Sequence, residues 1–107
     1  MAFYELRRYR IFPGKMSAWL EVMEKEIIPF QISQGMVITG SYQAEGDDTV
    51  YVWMRRFESE SQRKRLYKAV YESDTWKSDL GPRVGELIDL DAIEVTRLVP
   101  TPCSVAQ

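Results

Sequence analysis

The sequence predicts an α+β fold: a four-stranded antiparallel sheet with helices packed on one face. Three observations lead there. Thr49 to Phe57, Thr-Val-Tyr-Val-Trp-Met-Arg-Arg-Phe, is β-branched or aromatic at most positions and apolar on both faces, which marks a central strand covered on both sides. Two segments, one from about Lys15 and one after Ser59, switch to three- and four-residue apolar spacing, the helical period. The patterns follow one another as β-α-β-β-α-β, the split βαβ arrangement called ferredoxin-like. Right-handed crossovers then place both helical segments on the same sheet face, with strands one and three as the central pair.

Phe3 to Phe12 is the first strand, with Phe3, Glu5, Arg7, Tyr9 and Ile11 on one face and Tyr4, Leu6, Arg8, Arg10 and Phe12 on the other. Pro13-Gly14 ends it, because proline cannot donate to the ladder and glycine turns freely. In the first helix Met16, Leu20, Met23, Ile27 and Phe30 form the buried stripe, with Glu21, Glu24 and Lys25 between them. Pro29 is expected to kink it near its end, and Gly35 to stop it in a left-handed conformation. Met36 to Ala44, with Gly40 inside and Ser41 and Gln43 exposed, is an edge strand. The turn residues Glu45-Gly46-Asp47-Asp48 join it to strand three as a hairpin.

Ser59 and Gln62 have capping-box spacing at the start of the second helix, which buries Leu66 and Val70. Asp74 is expected to cap a further helical segment with Trp76, Leu80, Val84, Leu87 and Ile88 as its stripe, broken at Gly81-Pro82. Ala92 to Val99 is the last strand, and Thr101-Pro102 ends regular structure. The 107 residues read as one domain, 1–107, with an ordered core over about 3–100.

Composition sets further bounds. Fourteen basic and sixteen acidic residues give a formal charge of -2, which offers no electrostatic case for nucleic acid or acidic lipid. The basic cluster Arg63-Lys64-Arg65 with Lys68, Arg55 and Arg56 is diluted by Glu58, Glu60 and Glu72 and reads as a solvated helix face. The single Cys103 cannot form an internal disulfide, and it reads as a surface thiol in the tail. No charged segment followed by an apolar run opens the chain, and no stretch approaches the ~20 apolar residues needed to span a bilayer. The expected setting is cytoplasmic, with no membrane or nucleic-acid partner.

Helices on one face leave the other face of the sheet bare. Tyr51, Trp53, Val50 and Val52 leave neither side of strand three polar at its centre. A bare face of this kind exceeds the apolar patch a soluble monomer usually exposes. A two-fold homodimer, packing two such faces together over about 800 Å² or more per chain, resolves this. The partner expected first is therefore a second copy of the chain.

The residues also resemble a known family. Tyr4-Glu5-Leu6-Arg7 with Tyr9 and Pro13-Gly14-Lys15 resembles the opening of NIPSNAP domains. The passage from Trp53 to Ser59, then Trp76 and the closing Leu98-Val-Pro-Thr-Pro102, is similar to the same family in order and spacing. The resemblance implies a ferredoxin-like fold paired as a dimeric α+β barrel. It implies no particular chemistry, since the family is not defined by a shared catalytic motif.

The chain contains no His and no Asn. Ser-His-Asp and Cys-His arrangements are thereby excluded, a metal site would have to rely on carboxylates alone, and no cofactor or metal is expected. The candidate binding residues are Glu5, Arg7 and Tyr9 on strand one, Tyr51, Trp53 and Arg55 on strand three, and Trp76. Charged side chains on a central strand must pair or meet water. Either Glu5 pairs with Arg7, Arg55 or Arg97 beneath aromatic rings, or these residues form the polar end of an apolar cavity between sheet and helices, with Tyr51, Trp53 or Trp76 as walls. Which strand face meets the helices stays open at this point.

Two functions follow. One is a non-catalytic homodimer that binds a small apolar or aromatic molecule or serves as an interaction module. The other is a cofactor-independent monooxygenase-like enzyme acting on a small aromatic or apolar substrate, with Trp53, Tyr9 and Arg55 in the pocket; it rests on fold-level analogy. An enclosed cavity with a polar end favours the second, a solid core the first.

Overall fold

A computed structural model describes all 107 residues. Four strands, β1 (Phe3–Arg10), β2 (Val37–Gln43), β3 (Val50–Phe57) and β4 (Glu94–Leu98), form one antiparallel sheet in the order β2-β3-β1-β4. The first crossover carries α1 (Met16–Val22) and α2 (Ile28–Ser33); the second carries α3 (Glu60–Tyr71) and α4 (Gly81–Leu87). This is the ferredoxin-like α+β arrangement, with β1 and β3 central.

The helices cover the face bearing Phe3, Glu5 and Tyr9 from β1 and Tyr51, Trp53, Arg55 and Phe57 from β3, all of them buried. Arg7, on the same face, is half-buried. That assigns the face the sequence left open. The buried apolar side chains fall into two clusters. The larger is built around Tyr9, Trp19, Trp53, Met23 and Ile88, and the smaller joins Phe3, Met36, Phe57, Leu66 and Val70.

Both helical crossovers contain a widened turn just before a proline. Met23–Ile27 and Trp76–Leu80 are π-helical, and the N–H groups of Ile28 and Gly81 reach back five residues to the Met23 and Trp76 carbonyls. Pro29 and Pro82 have no N–H to continue the four-residue ladder, and the backbone relaxes into the wider turn rather than breaking. Each wide turn takes up one extra residue, so after the first of them the inward position falls on Gln31 instead of the expected Phe30. Trp19 and Val22 are buried in place of Leu20, which is only partly covered. Gly81 also packs against Trp76: a Cβ there would lie 2.9 Å from the Trp76 carbonyl oxygen.

Gly35 ends α2 at φ +105° and Gly46 turns the β2–β3 hairpin at φ +81°. Ser59 caps α3, accepting from the Gln62 N–H at 3.1 Å, while the Gln62 side chain reaches back to the Glu58 N–H at 2.6 Å, one residue beyond the usual capping box. The cap of the next segment is Ser73, not Asp74: the Ser73 hydroxyl accepts from the Trp76 N–H at 3.1 Å. The last strand is shorter than expected, because Leu90–Ala92 forms a 3-10 turn before it.

The opposite sheet face has an apolar centre of Leu6, Val52 and Met54, all half-buried, flanked by exposed Val37, Tyr42 and Leu98. Gly40 lets the Tyr42 ring lie flat there, since a Cβ would sit 2.4 Å from that ring. This face is not wholly bare. The C-terminal segment returns across one corner, where the Gln107 carbonyl oxygen accepts from Tyr4 Oη at 3.1 Å and Arg56 Nε at 2.6 Å. No helix is long and apolar enough to cross a membrane.

Candidate functional site

Residues 53, 55 and 57 alternate Trp, Arg, Phe along the helix-facing side of β3, which places a guanidinium between two apolar clusters. Arg55 is fully buried. It donates to Glu5 Oε1 (3.1 Å) and Tyr67 Oη (2.8 Å) through one terminal nitrogen, and to Tyr71 Oη (2.8 Å) and Gln31 Oε1 (3.1 Å) through the other. Its carbon lies 4.5 Å from the Trp53 ring centre and 5.0 Å from that of Tyr67, within cation–π range.

Glu5, 2% exposed, faces Arg55 directly across the β1–β3 ladder. It also accepts from Arg63 Nε at 2.7 Å and Tyr67 Oη at 2.5 Å. Burial pushes the Glu5 carboxyl up, but hydrogen bonds from Tyr67 and Arg63 and the charges of Arg55 and Arg63 outweigh it and hold the group below the ordinary glutamate value. Burial raises the Tyr67 hydroxyl to about 12 despite the Arg55 charge, helped by its bond to Glu5.

A group with a depressed folded-state pKa contributes stability that is fully present above its unfolded value, about 4.3 for glutamate, and is lost as pH falls through the folded value. Glu5→Gln is therefore expected to be less stable than the parent at pH 7, and the gap is expected to narrow steadily below about pH 4. Urea midpoints at pH 7, 5, 4 and 3 check this; a gap independent of pH contradicts it.

Beside the network lies a cavity of about 90 Å³ between sheet and helices. Its walls are mostly apolar, with Tyr9, Trp19, Trp53 and Trp76 as the large rings and Val84, Leu90 and Ile93 among the aliphatic ones. Arg7, Gln31 and Tyr71 form its polar side. Arg7 donates to Tyr9 Oη at 3.0 Å and to Tyr67 Oη at 3.4 Å. The indole N–H groups of Trp19 and Trp53 are buried without a partner. A second hollow, about 150 Å³, lies on the opposite sheet face under the C-terminal segment between Tyr4, Met54 and Leu98; it holds no charged group.

The structure thus divides the seven candidate residues. Glu5 and Arg55 belong to the ion-pair network. Arg7, Tyr9, Trp53 and Trp76 line the cavity. Tyr51 does neither: its hydroxyl bonds to Ser41 Oγ at 2.6 Å, and Ser41 donates on to Glu24 at 3.1 Å. Arg97, weighed as a partner for Glu5, instead pairs with Glu60 at 2.8 Å and stacks on Phe3. Arg55 and Arg63 turn inward and Arg56 pairs with Glu58 at 2.6 Å, so the basic cluster of the sequence is not one surface patch.

Sequence reasoning missed Arg63, Tyr67 and Tyr71, which recur every four residues on one stripe of α3. It also missed Gln31, brought inward by the wide turn. The stripe was legible in principle: Arg-Tyr-Tyr at helical spacing is amphipathic in an unusual way, apolar in body and polar at the tips. No group of three or more Cys, Asp or Glu residues is assembled that could hold a metal ion, and Cys103 is exposed.

Comparison with known proteins agrees with this fold. A NIPSNAP family model matches residues 4–105. A NIPSNAP family protein from Agrobacterium tumefaciens is 26% identical over the full length of both chains, with a TM-score of 0.88. A second protein of that family from Agrobacterium tumefaciens, described as of unknown function, is 28% identical over 99% of this chain and 94% of its own, with a TM-score of 0.88. A variant of SnoaB, a cofactor-independent oxygenase from Streptomyces nogalater, is 12% identical over 99% of this chain and 98% of its own, with a TM-score of 0.72, a likeness of fold. No curated protein sequence matches. With the family model spanning nearly the whole chain, the protein belongs to the NIPSNAP family.

Proposed function

We propose that this NIPSNAP protein is a homodimer that binds a small, mostly apolar molecule between sheet and helices. The observation that carries the binding is the aromatic-walled cavity with a polar side, because close packing normally fills such space. The volume, about 90 Å³, is below that of an engineered cavity that holds benzene, roughly 150 Å³, so the occupant is small. The apolar centre of the opposite face supports the pairing of two copies, which would form the dimeric α+β barrel.

The test is NMR of the three indole N–H signals with xenon or 1-propanol as a neutral probe. Shifts at Trp19 and Trp53, abolished by Val84→Phe filling the space, are expected; unmoved signals overturn the binding reading. Light scattering of the same sample is expected to return twice the 12.5 kDa chain mass, and Val52→Arg, placing a charge beside Arg8 on the bare face, to return the monomer. A monomeric parent overturns the barrel.

The same cavity favours a second reading, a cofactor-independent monooxygenase-like activity, since such an enzyme needs a dry pocket with a few hydrogen-bonding groups and SnoaB shares the fold. Here Tyr9 and Trp53 would contact the substrate, while Arg55 is already engaged by Glu5. Oxygen uptake with small phenols in buffer free of metal and flavin tests it, and no uptake above the buffer rate counts against it.

A further inference from the structure

We infer that the cavity takes an anion, specifically a small monocarboxylate with a short apolar tail, and that Arg7 is the residue that binds the carboxylate. This rests on the pocket reading above and adds the charge of its occupant.

The basis is the pairing of charges on the helix-facing side of the sheet. Glu5 pairs with both Arg55 and Arg63, at 3.1 and 2.7 Å. Glu60 pairs with both Arg63 and Arg97, at 3.3 and 2.8 Å. Arg55, Arg63 and Arg97 each thus have a carboxylate partner on this side. Arg7, half-buried in the cavity wall, has only the neutral hydroxyls of Tyr9 and Tyr67 as side-chain partners. An unpaired charge withdrawn from water is costly. The sheet itself stands between Arg7 and the bare face, so a second copy docked there would not supply the missing counter-charge.

The other polar groups around the cavity are donors as well. Tyr9 Oη accepts from Arg7, and Tyr71 Oη accepts from Arg55 at 2.8 Å and from Gln31 at 3.4 Å, which leaves the hydrogen of each hydroxyl free to donate. The Gln31 carbonyl oxygen is taken by Arg55. A wall of one cation and two hydroxyl donors, with its acceptors in use, matches a group that only accepts. A carboxylate has two oxygens that fit the planar fork of an arginine. The volume limits the rest of the molecule to a few carbons, with Leu90, 56% exposed in the 3-10 turn, at the rim.

The experiment compares propionate with propionamide, which has nearly the same shape and no charge, by titration of the Trp19 and Trp53 indole signals at pH 7. Propionate is expected to bind at least tenfold more tightly than propionamide. Arg7→Met is expected to abolish that preference while leaving the xenon-induced shifts in place, and Arg7→Lys, which keeps the charge, to retain part of it. Equal affinity for the two probes overturns the anion inference, as does binding of propionate unchanged in Arg7→Met. If xenon shifts the signals and neither probe does, the pocket reading stands and the anion inference falls. If xenon also has no effect, the pocket reading itself fails and the anion inference with it. The comparison of probes on the parent protein decides the matter even where Arg7→Met does not fold.

Discussion

Arg55→Met is expected to lower stability by about 3–5 kcal/mol, the cost of removing one partner from a buried ion pair. The guanidinium is fully buried and serves four acceptors, so its loss strips hydrogen bonds from Tyr67, Tyr71 and Gln31 together and leaves Glu5 to Arg63 and Tyr67. For a domain of this size each kcal/mol moves the melting temperature by about 4–8 °C, so a fall of ~12–40 °C is the readout. Since small domains have only about 5–15 kcal/mol in total, the variant is expected to be marginal at 37 °C. The double variant Glu5→Leu with Arg55→Met separates two explanations. Removing both charges is expected to recover part of the loss, because a paired buried charge costs more to orphan than to delete. A double variant as unstable as the two single effects added together would show that the two residues do not act as a pair. A loss below about 1 kcal/mol in Arg55→Met would show that the buried guanidinium is not needed by the fold.

Trp53→Ala is expected to cost a similar amount, about 3–5 kcal/mol, as large-to-small changes of buried tryptophan do. Trp53 is 2% exposed and packs edge-on against Tyr9, with ring centres 6.3 Å apart, and beneath Arg55. It already borders the cavity, so the space vacated joins an existing void, and the penalty grows with the enlarged volume. Chemical denaturation with an unchanged m-value is the measurement; a loss below about 1 kcal/mol contradicts the packing described. The effects of Trp53→Ala and Arg55→Met are not expected to add, because the ring and the guanidinium are in contact and neighbouring changes couple by about 0.5–3 kcal/mol.

Much of the fold is legible in the chain because it depends on local signals. The apolar run of β3, the turn at Gly46, the cap at Ser59 and the switch to helical period each act over a few residues, and together they restrict the topology. Smaller errors have local causes as well. The segment after α3 is capped by Ser73 rather than Asp74 because two good capping residues stand side by side. The inward residue in α2 is Gln31 rather than Phe30 because proline widened the preceding turn.

The candidate site was legible only in part. Charged residues on β1 and β3 stood out because a central strand has little use for them, and Glu5 and Arg55 do meet across the ladder. Their remaining partners, Arg63, Tyr67 and Tyr71, lie on α3, where arginine and tyrosine look like ordinary surface residues.

By itself the sequence determined the order of elements, the central pair of strands and the single helical layer, since these follow from periodicity, turn chemistry and spacing along the chain, and its residues resembled the family that the family model then matched. Tertiary structure alone decided which face of β3 turned inward, which guanidinium found a carboxylate and which was left facing a cavity. Those outcomes depend on distances between residues such as Glu5 and Tyr67, 62 positions apart, and no local preference of the chain encodes them.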